Sequence, residues 1–357
     1  VGSLFVFFFD CEGRENIVLV TQIPLLRRFW YCVAPSSALT DRPLPFRLLA
    51  EPIVLWRDAD GTPHAVKDRC QHRTAKLSQG WVNGDNIVCP YHGWEYDGAG
   101  ACVHIPQDAN DDRTIGVPGY HCAERYNHLW VALEDPIFDL PAIPEFGVSG
   151  YRQVIEFYEP WATHPLRIME NAFDAAHLTF VHRKSFGMPD PSVVPMQIEE
   201  LPDGFTSRNE VDVKTPEHMK AALSTTEDRT VRRMTSRFFL PFSRTVKIAY
   251  PSGLENILCT FLAPIDDSHT QFTQWVIRND TASQVAPESV IAFDRQVTLE
   301  DRTVLEGTDG AFAIVPSEGD EVHMASDRPG LLMRKMLNRL IRSHGGASQR
   351  DAALAIR

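Results

Sequence analysis

Two short segments constrain this chain of 357 residues more than anything else in it: Cys70-Gln71-His72 and Cys89-Pro90-Tyr91-His92, with sixteen residues between them. Each pair offers one thiol and one imidazole from a tight loop. Two thiolates hold one iron of a two-iron, two-sulfur cluster while two neutral imidazoles hold the other, an arrangement that raises the reduction potential far above that of an all-cysteine ferredoxin. A structural zinc ion stays open at this point, because two Cys and two His also close a tetrahedron and spacing alone does not exclude it.

The residues around the pairs read as an all-β module over 22–140. Strand candidates fall at 46–49, 53–56, 65–67, 87–89 and 129–133, cut by Asp60-Gly61, Asn83-Gly84 and Asp97-Gly98, which favour tight turns. A breaker-rich stretch from Glu134 to Gly147 separates this module from a second one over 151–345. That one mixes strand candidates (151–158, 230–239, 245–250, 257–262, 270–278) with helices expected over 165–178, 287–306 and 331–342. The pattern is α+β with an antiparallel sheet, since the helices are too few for alternating βαβ units.

Composition excludes some classes of function. With 35 Lys and Arg against 47 Asp and Glu, the net charge of -12 argues against a nucleic-acid footprint. The apolar opening, residues 1–9, is too short to span a membrane and lacks the basic leader of a signal peptide, so a cytoplasmic protein without a membrane anchor is expected. Seven cysteines are an odd number and a poor match to a disulfide scaffold. Cys11, Cys32, Cys102, Cys122 and Cys259 read as buried thiols, and His64, His104, His121 and His128 as surface or packing residues.

A second constellation is Glu170-Asn171-Ala172-Phe173-Asp174-Ala175-Ala176-His177, followed by His182. On one helix Asn171, Asp174 and His177 step by three and share a face. Two histidines five apart mean little alone; a third partner comes from the 287–306 segment. There Val290, Phe293, Val297, Asp301 and Val304 advance by threes and fours along an apolar stripe, and a carboxylate in such a stripe must be paired or bound to metal. The adjacent Glu300 is the alternative acid, expected to point off the stripe. Two His and one carboxylate make the facial triad of non-haem iron(II) oxygenases, with open positions for O2 and substrate.

The run from Cys70-Gln71-His72-Arg73 through Leu77-Ser78-Gln79-Gly80 to Cys89-Pro90-Tyr91-His92-Gly93-Trp94 resembles the Rieske signature, and Tyr96-Asp97, Gly100 and Ile105-Pro106 extend it. Gly80 and Gly93 are expected to give the backbone room to approach the cluster. Over nearly its whole length the chain is similar to the large subunits of Rieske non-haem iron oxygenases, which carry Asn, Asp, His, His and a later Asp in the order of Asn171, Asp174, His177, His182 and Asp301, with Glu306 trailing.

That resemblance implies a [2Fe-2S] cluster on Cys70, His72, Cys89 and His92 and a mononuclear Fe(II) on His177, His182 and Asp301. It also implies electron transfer between neighbouring subunits of a homotrimer, from His92 or His72 through Asp174 to His177, although Asp174 could instead only orient the histidine. Because the chain has no Gly-x-Gly-x-x-Gly fingerprint after a strand, a separate NAD(P)H-oxidising flavin and iron-sulfur reductase, or a ferredoxin, is the expected electron donor. The expected chemistry is monooxygenation (hydroxylation or removal of an O- or N-methyl group) of a small cyclic organic substrate. Cis-dihydroxylation of an aromatic ring is the first alternative; a Rieske electron carrier, or a zinc-stabilised module, would leave some 200 further residues and a second metal triad unexplained. Residues 250–253 and 272–278 are expected to line the pocket.

Overall fold

A computed structural model of the chain describes residues 19–108, 114–192, 194–308 and 321–354. The apolar opening and Cys11 lie outside them. Strands β1 (Tyr31–Pro35), β2 (Leu44–Leu48), β3 (Glu51–Arg57) and β4 (Pro63–Lys67) come first. Four short strands follow: β5 (Trp81–Asn83), β6 (Asn86–Val88), β7 (Glu95–Tyr96) and β8 (Cys102–His104). The chain then returns with β9 (Gly119–Arg125) and β10 (His128–Ala132). The first four and last two form an antiparallel sheet of order β1-β10-β9-β4-β3-β2, while β5 to β8 form a small sheet of their own, inserted between β4 and β9.

The rest of the chain builds one seven-stranded antiparallel sheet from β11 (Arg152–Trp161), β12 (Gln197–Leu201), β13 (Gly204–Lys214), β14 (Arg229–Phe239), β15 (Ser243–Ala249), β16 (Glu255–Pro264) and β17 (Thr270–Arg278), in the order β11-β17-β16-β15-β14-β13-β12. Its helices are α1 (Pro165–Phe173), α2 (Leu178–Val181), α3 (Glu217–Lys220), α4 (Pro287–Leu305) and α5 (Arg328–Leu354). The α+β reading therefore holds, with two differences. The hairpin of β12 and β13 escaped the sequence because its alternation is carried by polar residues such as Ser207 and Asn209, both buried. The helix expected over 165–178 is two helices: Asp174 caps the first in an extended conformation (φ -84, ψ 126), and the chain restarts at Leu178.

β17 shows why the large sheet sits in the middle. Flanked by β11 and β16, all nine of its residues are buried, because both faces are covered. Trp275 and Ile277 point to one side and pack with Trp130, Cys32 and Phe261 against the first module. On the other side Phe272 stacks on Trp161 at 4.3 Å and Val276 meets Val290 of α4. His128 belongs to this seam: it is fully buried, stacks on Trp275 at 4.1 Å, and burial pushes its imidazole down to about 4. It is a neutral packing residue.

The two modules are also joined by backbone. The β2–β3 turn holds Leu49 and Ala50 at φ 52 and 61, a conformation that L-residues adopt rarely. Both amides donate across the seam, Leu49 to the Pro264 carbonyl (2.7 Å) and Ala50 to that of Ile265 (2.8 Å). Behind the site, α5 is clamped to α1 by Arg334, whose guanidinium donates to Glu170 (3.0 Å) and Glu321 (2.7 Å). Cys32 and Cys259 are buried as expected, whereas Cys102 and Cys122 are half-buried. No helix among the described residues is long and apolar enough to cross a membrane.

Candidate functional site

The small sheet presents two loops of matching construction. The Cys70 amide donates to the carbonyl five residues on (Ala75, 2.8 Å), and its own carbonyl accepts from Thr74 (3.0 Å). Cys89 repeats the pattern with Trp94 (2.8 Å) and Gly93 (3.1 Å). The closing residue has positive φ in both, 58 at Thr74 and 76 at Gly93. Each loop thereby turns its cysteine inward and its histidine outward. Cys70 and Cys89 are buried, His92 is half-buried and His72 is exposed. The two imidazole rings lie 4.4 Å apart, and His72 stacks on Trp94 at 4.7 Å.

Tyr96, fully buried, puts its hydroxyl 3.2 Å from Cys70 Sγ and accepts from the Gln71 amide (3.1 Å). Burial pushes the Cys89 thiol up, with Cys70 beside it adding to the effect. A thiolate pair is unfavourable in such a place unless metal neutralises it, so the donor set fits a cluster in which the sulfurs lie deep and the imidazoles face out.

The glycines act differently from the expectation. A Cβ on Gly80 would stand 1.8 Å from the Val88 carbonyl oxygen, so what approaches Gly80 closely is the neighbouring strand. Gly93 is needed for its positive φ, with Pro106 3.2 Å from where its Cβ would be. Gly80→Ala is expected to lower stability by about 1–3 kcal/mol, because the clash is with backbone and no side chain can move aside. A thermal midpoint within a degree of the parent would show that the loop yields freely.

The second cluster forms where α1, α2 and α4 meet. His177 Nε2 and His182 Nε2 are 3.2 Å apart, and Asp301 Oδ1 lies 3.5 Å from the first and 3.2 Å from the second. His177, His182 and Asp301 are the one group of metal-competent side chains among the described residues whose ligand atoms gather within 4.8 Å. Three lone-pair donors around one point repel one another unless a cation lies between them, so the arrangement fits a bound metal ion.

Neighbouring groups hold these donors. Glu300 does not point away: its Oε2 accepts from His182 Nδ1 at 2.8 Å and from Ser185 Oγ at 2.7 Å, which directs Nε2 of His182 toward Asp301. Against burial, which lowers it, Asp301 and Glu300 raise the His182 pKa. Asn171 Nδ2 reaches Asp301 Oδ1 at 3.4 Å. Val304, one turn further along the supposed apolar stripe, is exposed, and the carboxylate's surroundings are these polar groups.

Asp174 sits at the break between α1 and α2, so it does not share a continuous helical face with His177. Its carboxylate accepts from the Ala176 amide (2.7 Å) and the His177 amide (3.2 Å). Burial raises its pKa, but His177 and these amides outweigh that and keep it below the ordinary carboxylate value. His177 Nδ1, 3.6 Å from Asp174 Oδ2, has no hydrogen-bond partner among the described residues. Asp174 borders two spaces: the inner cavity, and an outward cleft shared with Arg167, Glu170 and His323.

The inner cavity, about 150 Å³, runs from the His177, His182 and Asp301 cluster along the large sheet. Phe272 and Gln274 line it, as part of the segment singled out in the sequence, but residues 250–253 do not. They form the β15–β16 turn, closed by the Tyr250 amide on the Leu254 carbonyl (2.9 Å), behind the wall. Phe186, Asn209, Arg232 and Arg244 also line the cavity and were not identified from the sequence. The one signal for Arg232 was its place in phase with Met234 and Phe238 on the inward side of a strand.

Comparison with known proteins shows the family of each module. The family model described as Rieske [2Fe-2S] domain matches residues 29–122, and that described as vanillate O-demethylase oxygenase C-terminal domain matches 161–343. Methylxanthine N1-demethylase NdmA of Pseudomonas putida is 31% identical over 350 residues, 94% of this chain and 95% of that protein. The oxygenase component of dicamba O-demethylase from Stenotrophomonas maltophilia is 36% identical over 164 residues, covering 44% of this chain and 48% of that one. The structure of Pseudomonas putida CBB5 NdmA with caffeine superposes with a TM-score of 0.77 at 28% identity, covering 92% of this chain and 95% of that one.

Proposed function

Since the chain belongs to the Rieske non-haem iron oxygenases, as an alpha subunit of the demethylase type, we propose that it removes a methyl group from O or N of a small cyclic organic substrate. In this reading Cys70, His72, Cys89 and His92 hold the cluster, and His177, His182 and Asp301 hold the mononuclear iron. The convergence of those last three side chains at the head of the inner cavity is the observation that carries it.

An iron held by His177, His182 and Asp301 would supply O2 activation at the head of the inner cavity. The protein's own groups do the rest. Glu300 and Ser185 fix the ring of His182, Asn171 steadies Asp301, and apolar side chains such as Phe186 and Phe272 exclude water from the substrate. One atom of O2 enters a methyl C–H bond and the other leaves as water, with two electrons and two protons consumed. The resulting hemiacetal or hemiaminal releases formaldehyde and the demethylated product.

The electrons come from a separate NAD(P)H-dependent reductase or a ferredoxin. A homotrimer in which the outward-facing histidines of one subunit meet Asp174 of the next is supported by the exposure of His72 and by the cleft that opens onto Asp174. With a surrogate reductase, labelled O2 and a panel of cyclic methyl ethers and N-methyl heterocycles, the expected products are formaldehyde and a demethylated ring. A cis-diol carrying two labelled atoms as the main product would overturn this assignment.

A further inference from the structure

Arg232 lines the inner cavity and is 9% exposed, its guanidinium 4.2 Å from the Phe186 ring and 6.0 Å from that of Phe293. The Tyr250 side chain lies close to it. Its Nε has no hydrogen-bond partner among the described residues. Two other deeply buried arginines have acids, Arg278 with Asp280 and Arg334 with Glu170 and Glu321, whereas Arg244, which lines the same cavity, donates to the Ala172 carbonyl. Arg232 has no carboxylate within ion-pair distance among the described residues, although a guanidinium removed from water is costly unless a counter-charge meets it.

Asp294 lines the same cavity, and its charge acts on Arg278 as well as on Arg232. Asp294 lies against Glu156, and burial raises the pKa of both. One β-strand away a second donor is unused: Asn209 is 7% exposed, lines the same cavity, and its Nδ2 has no partner among the described residues. In the β13–β14 register Val211 faces Arg232 and Asn209 faces Met234, so Asn209 and Arg232 are diagonal neighbours on the inward face. Phe186 connects Arg232 with the metal site, because the ring in contact with the guanidinium also stacks on His182 at 4.7 Å.

We propose that Arg232 and Asn209 form an anion subsite, which selects cyclic substrates bearing a carboxylate and holds that group while the methyl carbon lies near His177, His182 and Asp301. The inference rests on the cavity being the substrate chamber. A planar carboxylate matches a guanidinium fork and also accepts from an amide N–H; a neutral carbonyl would leave the buried cation unmatched.

The test uses the iron-loaded full chain and two probes of one shape, benzoate and benzamide, titrated by calorimetry. Benzoate is expected to bind at least about tenfold tighter, the equivalent of one charge-assisted contact. Arg232→Gln is expected to abolish the preference and Arg232→Lys to restore part of it, with the visible spectrum and thermal midpoint checking the fold of each variant. Equal affinities in the parent protein, which needs no variant, would overturn the proposal; so would a preference that survives in a folded Arg232→Gln protein. Iron and labile sulfide measured on the same samples keep the two readings apart. A full metal complement without benzoate preference sinks the anion subsite alone, and a benzoate preference in protein that never takes up the mononuclear iron sinks the oxygenase site alone.

Discussion

Asp301→Ala is expected to leave the protein coloured, with the two irons and two sulfides of the cluster, while the third iron and turnover are lost. The parent should contain about three irons and two labile sulfides per chain. In the variant two histidines remain, too few donors to hold a ferrous ion against water, so turnover should fall by roughly a thousandfold or more. Glu300→Gln is the informative contrast. It keeps an acceptor near His182 Nδ1 but removes the charge, and outer partners of this kind typically alter metal affinity by about ten to a hundredfold. The geometry therefore predicts graded iron loss in Glu300→Gln and complete loss in Asp301→Ala. The reverse order would make Glu300 the ligand; a third iron bound tightly in both would mean that the three side chains do not form the metal site.

Asp174→Asn is expected to retain all of the iron and yet lower reductase-driven turnover by roughly a hundredfold or more. The one amide oxygen of Asn can still accept from the Ala176 amide, as Asp174 Oδ1 does at 2.7 Å, while the longer 3.2 Å bond from the His177 amide to Oδ2 is given up, so the tighter of the two bonds at the break between α1 and α2 is preserved. What disappears is the negative charge between His177 and the outward cleft, where the proposed electron path from a neighbouring subunit enters. Cluster reoxidation followed by visible absorbance under O2 and substrate is the direct measurement. An unchanged rate, with unchanged thermal stability, would reduce Asp174 to a cap that only shapes the turn before His177.

The cluster site was the most legible part of the chain, because it is local. All four donors fall within 23 residues, and the loops that turn them are closed by hydrogen bonds four and five residues long. Strand candidates read from composition also coincided with β14 to β17, but β12 and β13 were missed, where inward positions such as Ser207 and Asn209 are polar yet buried. The helix expected over 165–178 failed for a related reason. Asp174 competes for the backbone through its own carboxylate, which ends α1 and lets the chain restart at a different angle.

The sequence by itself indicated the α+β class and, through its resemblance to the Rieske non-haem iron oxygenases, the expected metal chemistry and the candidate donors Cys70, His72, Cys89, His92, His177, His182 and Asp301. The first four rest on residue type and short-range spacing, and the assignment of Asp301 rests on the resemblance and a helical stripe. Only the tertiary structure decided that Glu300 faces His182, that Asp174 borders both the cavity and an outer cleft, that the β15–β16 turn stands behind the pocket wall, and that Arg232 and Asn209 meet on one face. Each of these depends on strand register or helix packing across tens to more than a hundred residues, and a charged residue at an inward position looks in sequence like any other charged residue until its neighbours are known.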